Sequence, residues 1–126
     1  MPSQLEHVNF TVSDPQATAE MLQDIFGWHI RWEGEAKNNG HTIHIGTDDD
    51  YLAIYRPPNG AVRNLANDTA RGWLNHVGVV VEDLDAVEER VKARGLVPKS
   101  HGNYEPGRRF YFHDTDGIEY EVVSYE

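Results

Sequence analysis

Two histidines recur at matched places in this sequence, and a carboxylate of metal-binding type stands near its end. His7 lies in "LEHVNF" and His76 in "LNHVGV", two Leu-x-His-Val openings separated by the same offset as Asp14 and Asp83. The carboxylate is Glu121, set between tyrosine and valines in "GIEYEVVSY". Imidazole nitrogen and carboxylate oxygen together suit Fe(II), Mn(II), Zn(II), Ni(II) or Co(II). Three such ligands leave coordination positions open for water or substrate. A carboxylate among apolar neighbours is costly to desolvate unless it meets a cation or a proton. Glu121 therefore calls for a partner. The plainer alternative is three unrelated polar residues, each satisfied locally.

The elements around them decide whether the three can share a face. Val8, Phe10 and Val12 alternate with His7, Asn9 and Thr11, and Val77, Val79 and Val81 repeat the pattern after His76. A helix is predicted after each run. The first has Ser13 or Asp14 as N-cap, Pro15 at N1, a stripe of Ala17, Met21, Leu22, Ile25 and Phe26, and Gly27 as its stop. The second has Leu84, Val87 and Val91 as its stripe, a Glu88–Lys92 pair and Gly95. Three strand-like pieces follow each helix, at 28–33, 41–46 and 51–56, then at 96–100, 109–113 and 118–125. The pattern is α+β, a βαβββ module over 5–56 and another over 74–126, within one domain spanning 1–126. The Pro-, Gly- and Asn-rich stretch 57–73 reads as a connector across one edge.

Each helix has one apolar stripe to bury, so the valines must face it and the histidines must face away. If Tyr120 and Val122 also face the helix, Glu121 joins His7 and His76. Arg109, Tyr111 and His113 share a face of their strand, with Tyr111 pointing as Glu121 does. Tyr111 is a candidate hydrogen-bond donor or pocket wall. Arg109 could steer an anionic substrate, although its place beside Arg108 at a strand start reads as rim. Asn9 could orient a ligand or a substrate oxygen, and Tyr55 faces the same pocket. His41 and His44 fall on opposite faces, so only one can enter, and His41 is the one considered. His29 and His101 read as surface. Trp28, Trp32 and Trp73 read as core or interface, with Trp32 also able to line a binding mouth.

Composition narrows the partners. The 126 residues carry 21 acidic and 11 basic side chains, a formal net charge of −10. Such a field repels nucleic acid and anionic lipid and leaves a small molecule as the expected partner. With no cysteine in the chain, thiolate ligands, disulfides and a cysteine nucleophile are excluded. "MPSQLEHV" has neither a basic n-region nor an apolar h-region, and no apolar run approaches membrane-spanning length. A cytoplasmic protein is expected.

The chain is similar to the vicinal oxygen chelate superfamily, the glyoxalase, bleomycin-resistance and extradiol-dioxygenase group. The resemblance rests on "LEHVNFTVSD", "LNHVGVVVED" and "FYFHDTDGIEYEVV". The last resembles the family's aromatic strand, Asp-Pro-Asp-Gly turn and glutamate, with Gly117 and Glu121 here and Thr115 in place of proline. It implies a curved mixed sheet around a cleft, helices outside, with His7, His76 and Glu121 as metal ligands. It also implies a homodimer, in which His7 of one subunit can join His76 and Glu121 of the other. Glyoxalase I takes a further glutamate from the last strand of its first module. Aligning "DDYLAIYRP" on "IEYEVVSY" puts Ala53 there, so strict glyoxalase I activity is not expected. Tyr111 or a metal-bound hydroxide is then the candidate base.

The implied function is a glyoxalase-like enzyme whose divalent metal (Zn, Ni, Mn, Fe or Co) chelates adjacent oxygens of a small substrate and stabilises an oxyanion or enediolate. Two alternatives stand beside it. One is a metal-free, antibiotic-type small-molecule binding protein, favoured by the tryptophans and the acidic surface. The other is a thiol transferase of the fosfomycin type.

Overall fold

The structure, a computed structural model, describes residues 1–62 and 69–126. Two compact units divide the chain, Met1–Arg63 and Asn64–Glu126. Each is a βαβββ module. Part of the predicted connector, 63–68, lies outside the described residues.

The first unit contains β1 (His7–Thr11), α1 (Pro15–Phe26), β2 (His29–Glu35), β3 (His41–Gly46) and β4 (Tyr51–Arg56), with a 3₁₀ turn at Lys37–Asn39. Its sheet runs β1-β4-β3-β2, with β1 and β4 parallel and the other pairs antiparallel. The second unit contains β5 (Val77–Val80), α2 (Leu84–Ala93), β6 (Lys99–Tyr104), β7 (Gly107–His113) and β8 (Glu119–Ser124). Its order, β5-β8-β7-β6, repeats the first. The expected α+β class and duplicated architecture are present.

Each helix packs on the two inner strands of its own sheet, α1 on β3 and β4, α2 on β7 and β8. Phe10, Val12, Ile43, Ile45 and Ile54 are buried with Leu22 and Ile25 of α1. Phe110, Phe112, Tyr120 and Val122 are fully buried with Val91 of α2. The stripe of α1 is rotated from the expected one. Thr18 and Ala19 are buried, whereas Ala17 is exposed and Phe26 is only partly covered.

The helix ends follow local chemistry. Asp14 is the N-cap of α1, and its Oδ1 accepts the amide protons of Gln16 at 3.1 Å and Ala17 at 3.3 Å. Asp83 caps α2 in the same way through Ala86 at 3.0 Å. Gly27 closes α1 at φ 71, where a side chain would be strained. Asp14→Ala is expected to cost about 1 kcal/mol, read as a lower urea midpoint with an unchanged slope.

β2, β7 and β8 differ from their predicted bounds by one or two residues, and β6 by more. β6 starts at Lys99 rather than 96. The amides of Gly95 and Leu96 are taken by the last carbonyls of α2, and Pro98 has no N–H to give a ladder. The β6–β7 register then slips between Lys99 and Gly102, with Ser100 at φ 55.

Candidate metal centre

In the second unit the alternation brings four of the predicted residues together. Tyr120 and Val122 are fully buried on the α2 side, and Glu121 projects from the opposite face. Register sets Glu121 between Gly78 of β5 and Tyr111 of β7. His76 lies just ahead of β5, with its Nε2 3.0 Å from Glu121 Oε1. Its ring meets Tyr111 edge-on at 5.7 Å. The other ring nitrogen, Nδ1, is 2.7 Å from the amide oxygen of Asn75.

Arg109 does not sit at the rim. Its side chain is only 11% exposed, and Nη1 donates to Glu121 Oε2 at 2.7 Å. Nη2 donates to the Gly107 carbonyl at 3.2 Å, and the guanidinium lies over the Tyr104 ring. Glu121 therefore has a nitrogen within 3.0 Å of each oxygen. Burial and the adjacent carboxylate raise the Tyr111 phenol above its ordinary pKa. A phenol in this setting keeps its proton near neutrality.

The first unit holds His7 in a different setting. Its Nδ1 is 2.8 Å from Glu6 Oε1, which also accepts the Tyr51 hydroxyl at 3.1 Å. These two hydrogen bonds hold the Glu6 carboxyl below its ordinary range. Tyr51 is the cross-strand partner of His7, with rings 4.9 Å apart, and Arg31 covers the Tyr51 ring at 4.5 Å. His44 completes the group, 4.6 Å from Tyr51 and 6.3 Å from His7 between ring centroids. Trp32 tilts against His44 at 5.1 Å.

His44, not His41, is thus the histidine on the His7 face. His41 pairs with Glu33 at 3.2 Å. Burial, and next the positive potential of His7, hold His44 below the usual histidine pKa. Asn9 shares the His7 strand and stands in register with Ala53. The Tyr55 hydroxyl donates to the Lys37 carbonyl, which ties it to the β2–β3 connection.

The profile of the Glyoxalase/Bleomycin resistance protein/Dioxygenase superfamily matches residues 4–122. The chain belongs to this superfamily. Solved structures similar to it include a glyoxylase/bleomycin resistance protein/dioxygenase domain from Frankia sp. EAN1pec, 23% identical, TM-score 0.81, covering 98% of both chains. The fosfomycin resistance protein FosX from Listeria monocytogenes, complexed with Mn(II) and sulfate, is 23% identical with TM-score 0.75, over 98% of this chain and 93% of that one. A glyoxalase family protein from Enterococcus faecalis is 20% identical with TM-score 0.75, over 95% and 96%. These likenesses establish the shared fold.

Within the superfamily fold, register supports the alignment of Ala53 with Glu121. Asn9 pairs with Ala53 and its repeat equivalent Gly78 pairs with Glu121. The carboxylate of the second module has a methyl group as its counterpart in the first. Among the described residues, no three His, Asp or Glu side chains are gathered into one metal-holding group. The donors stand as His76 with Glu121 in one unit, and His7 in the other.

The spacing of His76 and Glu121 fits two ligands of one divalent metal. Two ligands bound to one ion at about 2.1 Å stand roughly 3 Å apart, and His76 Nε2 and Glu121 Oε1 are 3.0 Å apart. With the Nδ1 proton of His76 on Asn75, its Nε2 lone pair would face a carboxylate oxygen, an arrangement relieved by a proton or a cation. His7 likewise has Nδ1 on Glu6, a carboxylate–histidine contact that does not involve Nε2. Glu6, Asn75, Tyr51 and His44 were not singled out from the sequence. The available signal was a side-chain oxygen immediately before each repeated histidine.

Proposed function

We propose that the chain is a cytoplasmic, divalent-metal-dependent enzyme acting on a small oxygen-bearing substrate, with His7, His76 and Glu121 as its metal ligands. The observation that carries this reading is the 3.0 Å His76–Glu121 approach, with His76 Nδ1 already engaged by Asn75. The Glu6–His7 contact repeats that support in the first module. A bound metal (Zn, Ni, Mn, Fe or Co) would polarise adjacent substrate oxygens and stabilise an oxyanion or enediolate.

The chain's own side chains would do the rest. Glu6 and Asn75 fix the ring orientations of the two histidines. Arg109 holds one Glu121 oxygen and turns the other toward His76. Tyr111, kept protonated, donates a hydrogen bond to a substrate oxygen. Ala53 offers no base, so glyoxalase I chemistry in its strict form is not part of the proposal. In a homodimer, His7 of one copy would complete the site begun by His76 and Glu121 of the other.

A second reading has its own observation. Arg109 already pairs with Glu121 at 2.7 Å and offsets its charge, which suits a metal-free protein that binds a small, antibiotic-type molecule. The fosfomycin-type thiol transferase is a third outcome, recognised by consumption of fosfomycin together with a thiol. Metal analysis of protein purified without chelator separates the first two. About one metal per site is expected, falling below about a tenth of that in His76→Ala and Glu121→Gln. Equal metal content in parent and variants would remove the metal reading.

A further inference from the structure

The first module lacks a carboxylate at Ala53, yet it carries a donor one strand over. β4 lies between β1 and β3, so Asn9, Ala53 and His44 form one cross-strand row. His7, Tyr51 and Gly46 form the neighbouring row on the same face. In the second module the corresponding positions are Gly78, Glu121 and Tyr111. There the carboxylate stands on the central strand and an aromatic ring on the next. Here a methyl group stands on the central strand, and an imidazole reaches over it from the next.

We infer that His44 is a further metal ligand, contributed by the first module beside His7 in place of the donor missing at Ala53. The inference rests on the metal reading above. Imidazoles that share one ion with bonds of about 2.1 Å have ring centroids roughly 5–6 Å apart, and His7 and His44 are at 6.3 Å. The rings lie nearly parallel, 16° apart, and would turn to direct one nitrogen each at a shared ion. His44 is also the histidine left with a free nitrogen pair. His7, His29, His41, His76, His101 and His113 each pair with a carboxylate. Among the described residues no hydrogen bond or ion pair engages His44, whose ring lies against those of His7, Trp32 and Tyr51. Its ring nitrogens are not among the buried polar atoms left without a partner, so they stay open to a ligand; a metal would use the lone pair.

The test uses the full chain stripped of metal with chelator, and Co(II) as the probe, with affinity read by calorimetry and coordination by visible absorption. His44→Phe keeps a ring against Tyr51 and Trp32 and removes the donor atoms. It is expected to weaken Co(II) binding at least about tenfold and to alter the ligand-field bands, with the urea midpoint held near the parent's. His44→Phe with the parent's affinity and spectrum, while His76→Ala loses Co(II), overturns the role of His44 and leaves the metal reading standing. A parent that takes up no Co(II), or a His76→Ala variant that binds as the parent does, overturns both.

Discussion

Asp114→Ala is expected to cost about 3 kcal/mol, because it removes a carboxylate that accepts several hydrogen bonds at once. Asp114 Oδ1 accepts the amide protons of Asp116 and Ile118, both at 2.9 Å, and Oδ2 accepts the Tyr120 hydroxyl at 3.3 Å. Tyr120 is fully buried, so its hydroxyl would be left without this acceptor in a region water does not reach. The same turn places Glu121. Asp114 N–H donates to the Ile118 carbonyl, Gly117 turns back at φ 81, and β8 starts at Glu119. Asp114→Asn keeps an oxygen for the two backbone amides and should lose about 1 kcal/mol.

The two variants also differ in pH dependence. Burial raises the Asp114 pKa above its ordinary value of 3.8, against the pull of the backbone hydrogen bonds. The folded chain therefore binds this proton more tightly than the unfolded one. That contribution to stability is complete below the unfolded pKa and is lost as pH rises through the folded pKa. The parent should gain stability over Asp114→Asn as pH falls from neutrality through that window. Urea midpoints across the window measure it, and a constant difference would show that Asp114 does not titrate there.

The repeat made the fold legible. Alternation in β1 and β8 assigned opposite faces correctly, since Phe10, Val12, Tyr120 and Val122 are buried while His7 and Glu121 are not. Ser13 or Asp14 marked the start of α1, and Asp14 is the cap because its oxygen satisfies amides that the helix cannot; Asp83, its repeat counterpart, does the same for α2 without having been singled out as a cap. The sheet orders, with β1 beside β4 and β5 beside β8, are a matter of long-range pairing that no single strand encodes.

The same limit hid part of the site. Alternation within β3 separates His41 from His44 but does not say which of them stands across from Ala53; register does. Arg109 was misplaced for a related reason. Its neighbour Arg108 does reach outward, to Asp85 at 2.9 Å, but the next residue turns to the opposite face and meets Glu121. A strand start with two arginines looks like solvent until its partner strand is known.

Arg109→Ala joins these points in one measurement. Truncation leaves the Glu121 carboxylate, 14% exposed, with His76 and the Tyr111 phenol beside it and no fixed cation. Removing one member of a shielded ion pair costs more than the pair contributes, because the other charge stays desolvated. The folding equilibrium of metal-free protein is expected to fall on the order of a hundredfold. Glu121→Gln in the same background should recover most of that loss, since the stranded charge is gone. Mn(II) separates the two readings of the site. If Glu121 is a metal ligand, saturating Mn(II) supplies the missing positive charge and stabilises Arg109→Ala more than the parent. If the Arg109–Glu121–His76 group serves a metal-free pocket, denaturation midpoints of both proteins stay where chelator leaves them. The arginine would then be the cation that Glu121 requires.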